Sequence, residues 1–151
     1  LGAHFELASN ITLAYSRTHF DKDFPFQSGG FVTTGIADHP MYGQAPFVVN
    51  AMASYIADKP GLSISLIYNV QGPRLVIDGG GLYPNVYEMT RNLVDVMIAK
   101  RISKHFSVKL KGKNLLNALV VRKYKFDSGY YFPYDVNTYG SNFIVSLIYR
   151  L

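Results

Sequence analysis

In the last nine residues, "FIVSLIYRL", every second side chain is large and apolar: Phe143, Val145, Leu147, Tyr149 and Leu151. A period of two belongs to a β-strand whose two faces meet different surroundings. Chain termini are ordinarily frayed and polar unless they are tied into the fold. This strand therefore either completes a buried core or turns its apolar face to lipid, and the other segments must decide.

The same alternation recurs along the chain. Residues 62 to 71 set Leu62, Ile64, Leu66, Tyr68 and Val70 against Ser63, Ser65, Ile67, Asn69 and Gln71. Phe47, Val49, Ala51, Ala53 and Tyr55 oppose Val48, Asn50, Met52 and Ser54. Ile11, Leu13 and Tyr15 oppose Thr12, Ala14 and Ser16, and Val94, Val96 and Ile98 oppose Leu93, Asp95, Met97 and Ala99. The sharpest case sets Phe106, Val108 and Leu110 against Ser107, Lys109, Lys111 and Lys113. A shorter run, Ala3, Phe5 and Leu7 against His4 and Glu6, brings the expectation to seven strands, several of about 10 to 14 residues where globular strands cluster near 5 or 6.

The connections alternate in length. Short ones fall at residues 8–10, 57–61 and 102–105, and long ones span about 19–45, 72–89 and 118–139 and carry the Gly and Pro breakers. Tight turns at one end and long loops at the other are the pattern of outer-membrane barrels, in which a tilted strand of roughly 9 to 11 residues crosses the hydrocarbon. The soluble alternative is an antiparallel sheet with one wet face.

Composition narrows the classes. The 151 residues suffice for one domain, 48% are apolar and 17% charged, and there are twelve Tyr and ten Phe but no Trp. A net charge of +5 spread along the chain argues against a nucleic-acid partner. With no cysteine there is neither a disulfide framework nor thiolate chemistry. No run approaches the roughly 18 apolar residues of a membrane helix, which leaves strands as the only way across. Position 1 is Leu with no signal peptide before it, so the chain is expected to be a processed or excised piece of a longer protein.

The segment "PMYGQAPFVVNAMASYIADKPGLSISLIYNVQGPRL" and the later "YEMTRNLVDVMIAKRISKHFSVKLKGKNLLN" resemble the C-terminal barrel region of a TonB-dependent outer-membrane receptor, of the type with a carboxypeptidase-like regulatory domain before its plug. The likeness runs from about residue 40 to the end. It rests on the order of "FVVNA", Tyr68 to Arg74, "YEMTRN" with Thr90 where the family has Pro, "KNLLN", and the basic and Tyr residues from Arg122 to Tyr124. The resemblance implies a segment of a larger antiparallel transmembrane β-barrel in the outer membrane. It implies energised import of a scarce solute, a TonB complex acting through a plug and TonB box not present here, and no cofactor. It also implies that residues 143–151 are read by the barrel-assembly machinery, with Leu151 where the family has Phe.

Candidate contacts follow from residue type. Loop tyrosines Tyr83, Tyr87, Tyr130, Tyr131 and Tyr134 suit capture of a sugar, peptide or siderophore, or form an aromatic girdle, the role expected of Tyr139. Lys109, Lys111 and Lys113 form a ladder facing the lumen, with Asp95 expected opposite Lys111 or Lys113. Lys100 is expected to snorkel to the interface. His19, Asp21, Asp23, Asp38 and His39 match no metal spacing, "DGGG" at 78–81 is no phosphate loop, and no nucleophile pairs with a base, so no enzyme and no metal is expected. The rivals are a passive or adhesive barrel, a barrel hydrolase and a soluble β-sheet binding module.

Overall fold

A computed structural model describes residues 2–18, 39–79, 83–126 and 128–150. The fold is all-β and antiparallel, with two open sheets. The larger has six strands in the order β1 (Ala3–Leu13), β2 (Phe47–Ala57), β3 (Leu62–Gln71), β6 (Arg91–Arg101), β7 (Phe106–Lys113) and β10 (Asn142–Tyr149). The smaller has four, in the order β4 (Arg74–Ile77), β5 (Asn85–Glu88), β8 (Val120–Lys125) and β9 (Tyr131–Asn137).

The small sheet prolongs the hairpins of the large one. β3 resumes as β4 after residues 72 and 73, and β5 becomes β6 after residues 89 and 90. At the first break Pro73 has no N–H for a ladder. Gly72 donates to the Phe47 carbonyl (2.9 Å) and lies so close to the Phe47 ring that a Cβ would meet it at 2.8 Å. On the other side of the hairpin Met89 donates to the Val121 carbonyl at 2.8 Å, which hands the strand to β8.

Residues 8–10 are not a turn. The β1–β2 ladder runs unbroken from Ala3↔Ala57 to Leu13↔Phe47. Phe5, Leu7, Ile11 and Leu13 share one parity, so Ser9 only interrupts the apolar series without reversing the chain. The main sheet therefore has six long strands, where seven were expected, and the stretches expected to be plain loops contain four more short ones.

Turns and loops segregate as expected. Residues 58–61 and 102–105 close the tight hairpins, the first with Gly61 at φ +73° donating to Ala57. The connections over 14–46, 72–90 and 114–141 all leave from the opposite end.

Register builds continuous rows. Phe5, Tyr55, Ile64, Ile98, Leu110 and Val145 form one row across all six strands, and Leu7, Ala53, Leu66, Val96, Gly112 and Phe143 the next. On the reverse run Glu6, Ser54, Ser65, Met97, Lys111 and Ile144. The usual burial is inverted: Ser65 is 4% exposed and its neighbour Leu66 49%, while Leu7 and Leu147 reach 83% and 67%.

The main strand-to-strand contacts all lie between hydrogen-bonded neighbours, so among the described residues no second layer covers the apolar face. The most enclosed side chains, Leu75, Val86 and Val120, sit at the loop end.

Candidate functional site

Pairing in the small sheet decides which loop residues meet. Leu75↔Tyr87↔Lys123 and Asn85↔Lys125↔Tyr131 lie in neighbouring rows on one face. That face borders a cavity of about 400 Å³, walled by Tyr87, Lys125 and Tyr131, by residues 14–17 beyond β1, by His39, Pro40, Gln44 and Pro46 before β2, and by Pro73. Its volume falls in the range of small-molecule sites. Beneath it the Leu75 carbonyl accepts from Gly43 N–H at 2.8 Å, which fixes the turn over residues 41–44.

The described walls are mostly aromatic and proline, with cationic side chains and, among the described residues, no carboxylate. Lys125 Nζ stands 5.4 Å from the Tyr87 ring centroid, in cation–π range. His39 Nε2 is 3.1 Å from Asp78 Oδ2, and its Nδ1 is 2.9 Å from the Pro40 carbonyl. Burial raises the Tyr87 pKa above its ordinary value, helped by the charges of Tyr131 and Asp78 and opposed by a hydrogen bond with Asn85. The arrangement supplies flat apolar walls and positive charge. Among the described residues it sets no nucleophile beside a base.

On the opposite face runs a ladder of alternating charge, with Arg74↔Glu88, Glu88↔Arg122 and Arg122↔Asp135 as direct cross-strand partners. Arg74 Nη2 donates to Glu88 Oε1 at 3.0 Å, Arg122 Nη1 to Asp135 Oδ2 at 3.1 Å, and Arg122 Nε lies 3.5 Å from Glu88 Oε2. Burial lowers the Arg122 pKa, but the charges of Asp135 and Glu88 outweigh it and the net direction is upward. Tyr134 packs edge-on against Tyr124, ring centroids 5.1 Å apart, on this same side.

Of the tyrosines predicted to meet a ligand, Tyr87 and Tyr131 come together at the cavity. Tyr134 faces away from it, and Tyr83 and Tyr130 are exposed and outside its lining. Tyr139 lies beneath the Arg91 guanidinium, 5.9 Å from ring centroid to Cζ. Lys125, Gln44 and the three prolines were not anticipated. The signal for Lys125 was its place in the β8–β9 hairpin, opposite Tyr131, within a stretch expected to be a loop.

Lys109, Lys111 and Lys113 do share a face, in the rows that contain Ala99, Met97 and Asn142. The register, ending at Val96↔Gly112, carries Asp95 alongside Lys113, and Asp95 Oδ1 accepts the Asn114 N–H at 2.8 Å. Asn114, second in the "KNLLN" stretch, has a left-handed conformation, φ 52°. His19, Asp21, Asp23 and Asp38 lie outside the described residues, and among the described ones no three His, Cys, Asp or Glu side chains gather for a metal.

A scan against protein-family models, a search of curated proteins and a search of solved structures each return no match for the chain.

Proposed function

We propose that these residues form part of the wall and outer rim of a transmembrane β-barrel receptor in an outer membrane, one that captures a scarce solute at its long loops and imports it in a TonB-dependent manner. The observation that carries this reading is the inverted burial of the six-stranded sheet, with Leu7, Leu66, Phe143 and Leu147 in the open and Ser54 and Ser65 enclosed. Lipid is the surrounding that makes such a face favourable.

Strand length agrees. Eleven residues, as in β1, β2 and β6, extend about 36 Å at 3.3 Å each, and a tilt of about 45° brings this to about 26 Å, close to the apolar band of such barrels. Open edges at β1 and β10 call for further strands, because unpaired backbone has no water to turn to in lipid. The sheet is thus one portion of a larger barrel. Solute capture rests on the cavity at the long-loop end, whose tyrosines, prolines and cations suit a small anion with a flat or apolar body. The plug and the energy-coupling contact belong to the rest of the receptor, and this portion contributes wall, rim and assembly strand.

The chain has no cysteine, so introduced thiols report cleanly. In the intact protein reconstituted into vesicles, Leu66→Cys and Leu147→Cys are expected to resist a water-soluble maleimide while Lys109→Cys reacts. Equal reaction at all three would sink the membrane reading. An open-channel conductance in planar bilayers would favour a passive pore over a plugged receptor.

A further inference from the structure

The apolar face has two different borders. Along the short-turn border lie Lys59, Lys100, Arg101, Lys104 and Arg150, with Asp58 the one carboxylate in the two turns. At the loop border the rows of the apolar face end in uncharged side chains, Val70, Asn92 and Phe143, with Tyr68 donating to Asn92 Oδ1 at 2.6 Å, while Arg91 and Lys113 stand at reverse-face positions. Glu6, the nearest other acid, lies on the reverse face beside His4 at 3.2 Å.

We propose that the short-turn border is a docking strip for the phosphates of anionic phospholipids, a reading that rests on the membrane placement above. Lys100 stands in the outermost apolar row, with Ala3, Ala57, Leu62, Val108 and Leu147. Its ammonium is drawn back to the turn, where Nζ donates to the Pro60 carbonyl at 3.0 Å. Arg101 Nη2 donates to the Asp58 carbonyl at 3.2 Å, while its own N–H donates to Gly61 at 2.8 Å. Each head group thus has a fixed position and most of its donors unspent. Lys59, Lys104 and Arg150 are exposed beside them.

A soluble anion would explain the charge but not its continuity with rows of Leu, Val and Ile. A lipid explains both, with acyl chains against the rows and phosphate at the cations. Near an anionic surface each cation is worth about a fivefold change in binding.

The test compares retention of phosphatidylglycerol and phosphatidylcholine by the intact protein during detergent delipidation, read by native mass spectrometry. Wild type is expected to favour phosphatidylglycerol. K59Q/K104Q, which spares both turn-anchoring hydrogen bonds, should weaken that preference about 25-fold, two cations at about fivefold each. K59Q/K100Q/R101Q/K104Q should abolish it, while K113Q/K123Q at the loop end should leave it unchanged. Equal retention of the two lipids, indifference to K59Q/K104Q, or displacement by inorganic phosphate at matched concentration would overturn the proposal, the last by assigning the cations to a free anion. If Leu66→Cys stays shielded in bilayers while the lipid preference is missing, the docking strip fails and the membrane reading survives. If Leu66→Cys reacts freely, both fall.

Discussion

Ser54 and Ser65 face each other across the β2–β3 ladder and share a hydrogen bond of 2.8 Å between their hydroxyls, buried on the polar side of the sheet. Met97 is the direct cross-strand neighbour of Ser65 in the same row. Each hydroxyl has the other as its recorded partner, so truncating one strands the second.

That geometry predicts non-additivity. Ser54→Ala or Ser65→Ala alone leaves a buried hydroxyl without its partner and should destabilise the sheet by roughly 1–3 kcal/mol. The double variant should cost less than the sum of the two. Urea titrations of the intact protein in vesicles, run as a double-mutant cycle, measure the coupling, and strict additivity would show that the hydrogen bond contributes nothing.

Leu66 sits in the middle rows of the apolar face and Lys111 on the reverse. Leu66→Lys should lower folding stability in vesicles by about 2–4 kcal/mol, the cost of a lysine at the bilayer midplane. In water the same exposed substitution would stay within about 0.5 kcal/mol. The measured size therefore separates a lipid-facing sheet from a soluble one by several-fold.

Glu88 lies between two guanidiniums, its side chain 11% exposed, whereas Asp135 meets one and is 34% exposed. Glu88→Gln should therefore destabilise the small sheet more than Asp135→Asn. The loss should be roughly 1–3 kcal/mol, below the range for fully buried pairs because both arginines remain about a third exposed. Amide hydrogen exchange in β5 and β8 reads the effect locally, and equal protection in the two variants would contradict the ladder.

Much of the large sheet was legible because a strand's parity is local. The tight turns at 58–61 and 102–105 and the apolar side of every long strand follow from alternation alone. Parity also held the answer at Ser9, where one small residue looked like a turn although the odd positions on either side of it stay in phase. The small sheet was hidden for the opposite reason. β4 and β5 are four residues each, and Arg74 and Glu88 occupy ladder positions through cross-strand charge instead of apolar pattern. The cavity joins Gln44, Tyr87 and Lys125 through pairings between distant segments, which no spacing in the chain encodes.

The raised pKa of Tyr87 has a pH consequence. Its folded value lies above the ordinary 10.0, so the folded state holds this proton more tightly than the unfolded chain. The associated stability is complete below about pH 10 and is lost as pH rises through the folded value. Tyr87→Phe should remove that alkaline dependence and delete one phenolate transition lying above the ordinary range from the 295 nm titration. A difference spectrum with its missing transition at or below pH 10 would refute the assignment.

Asn114 is the joint between the two sheets. Its N–H reaches Asp95 Oδ1, its side-chain Oδ1 accepts from Ala118 N–H at 2.9 Å, its Nδ2 donates to the Gly140 carbonyl at 2.8 Å, and its own carbonyl accepts from the Ser141 hydroxyl at 2.8 Å. All of this depends on φ 52°, a conformation that asparagine and glycine tolerate and alanine does not. Asn114→Gly keeps the backbone and loses two side-chain hydrogen bonds, a cost of about 2 kcal/mol. Asn114→Ala loses the same bonds and adds about 1–2 kcal/mol of left-handed strain, so stability should fall in the order Asn, Gly, Ala. Urea titration of the three proteins in vesicles ranks them. Alanine equal to or better than glycine would mean that the backbone at Asn114 does not hold the left-handed turn.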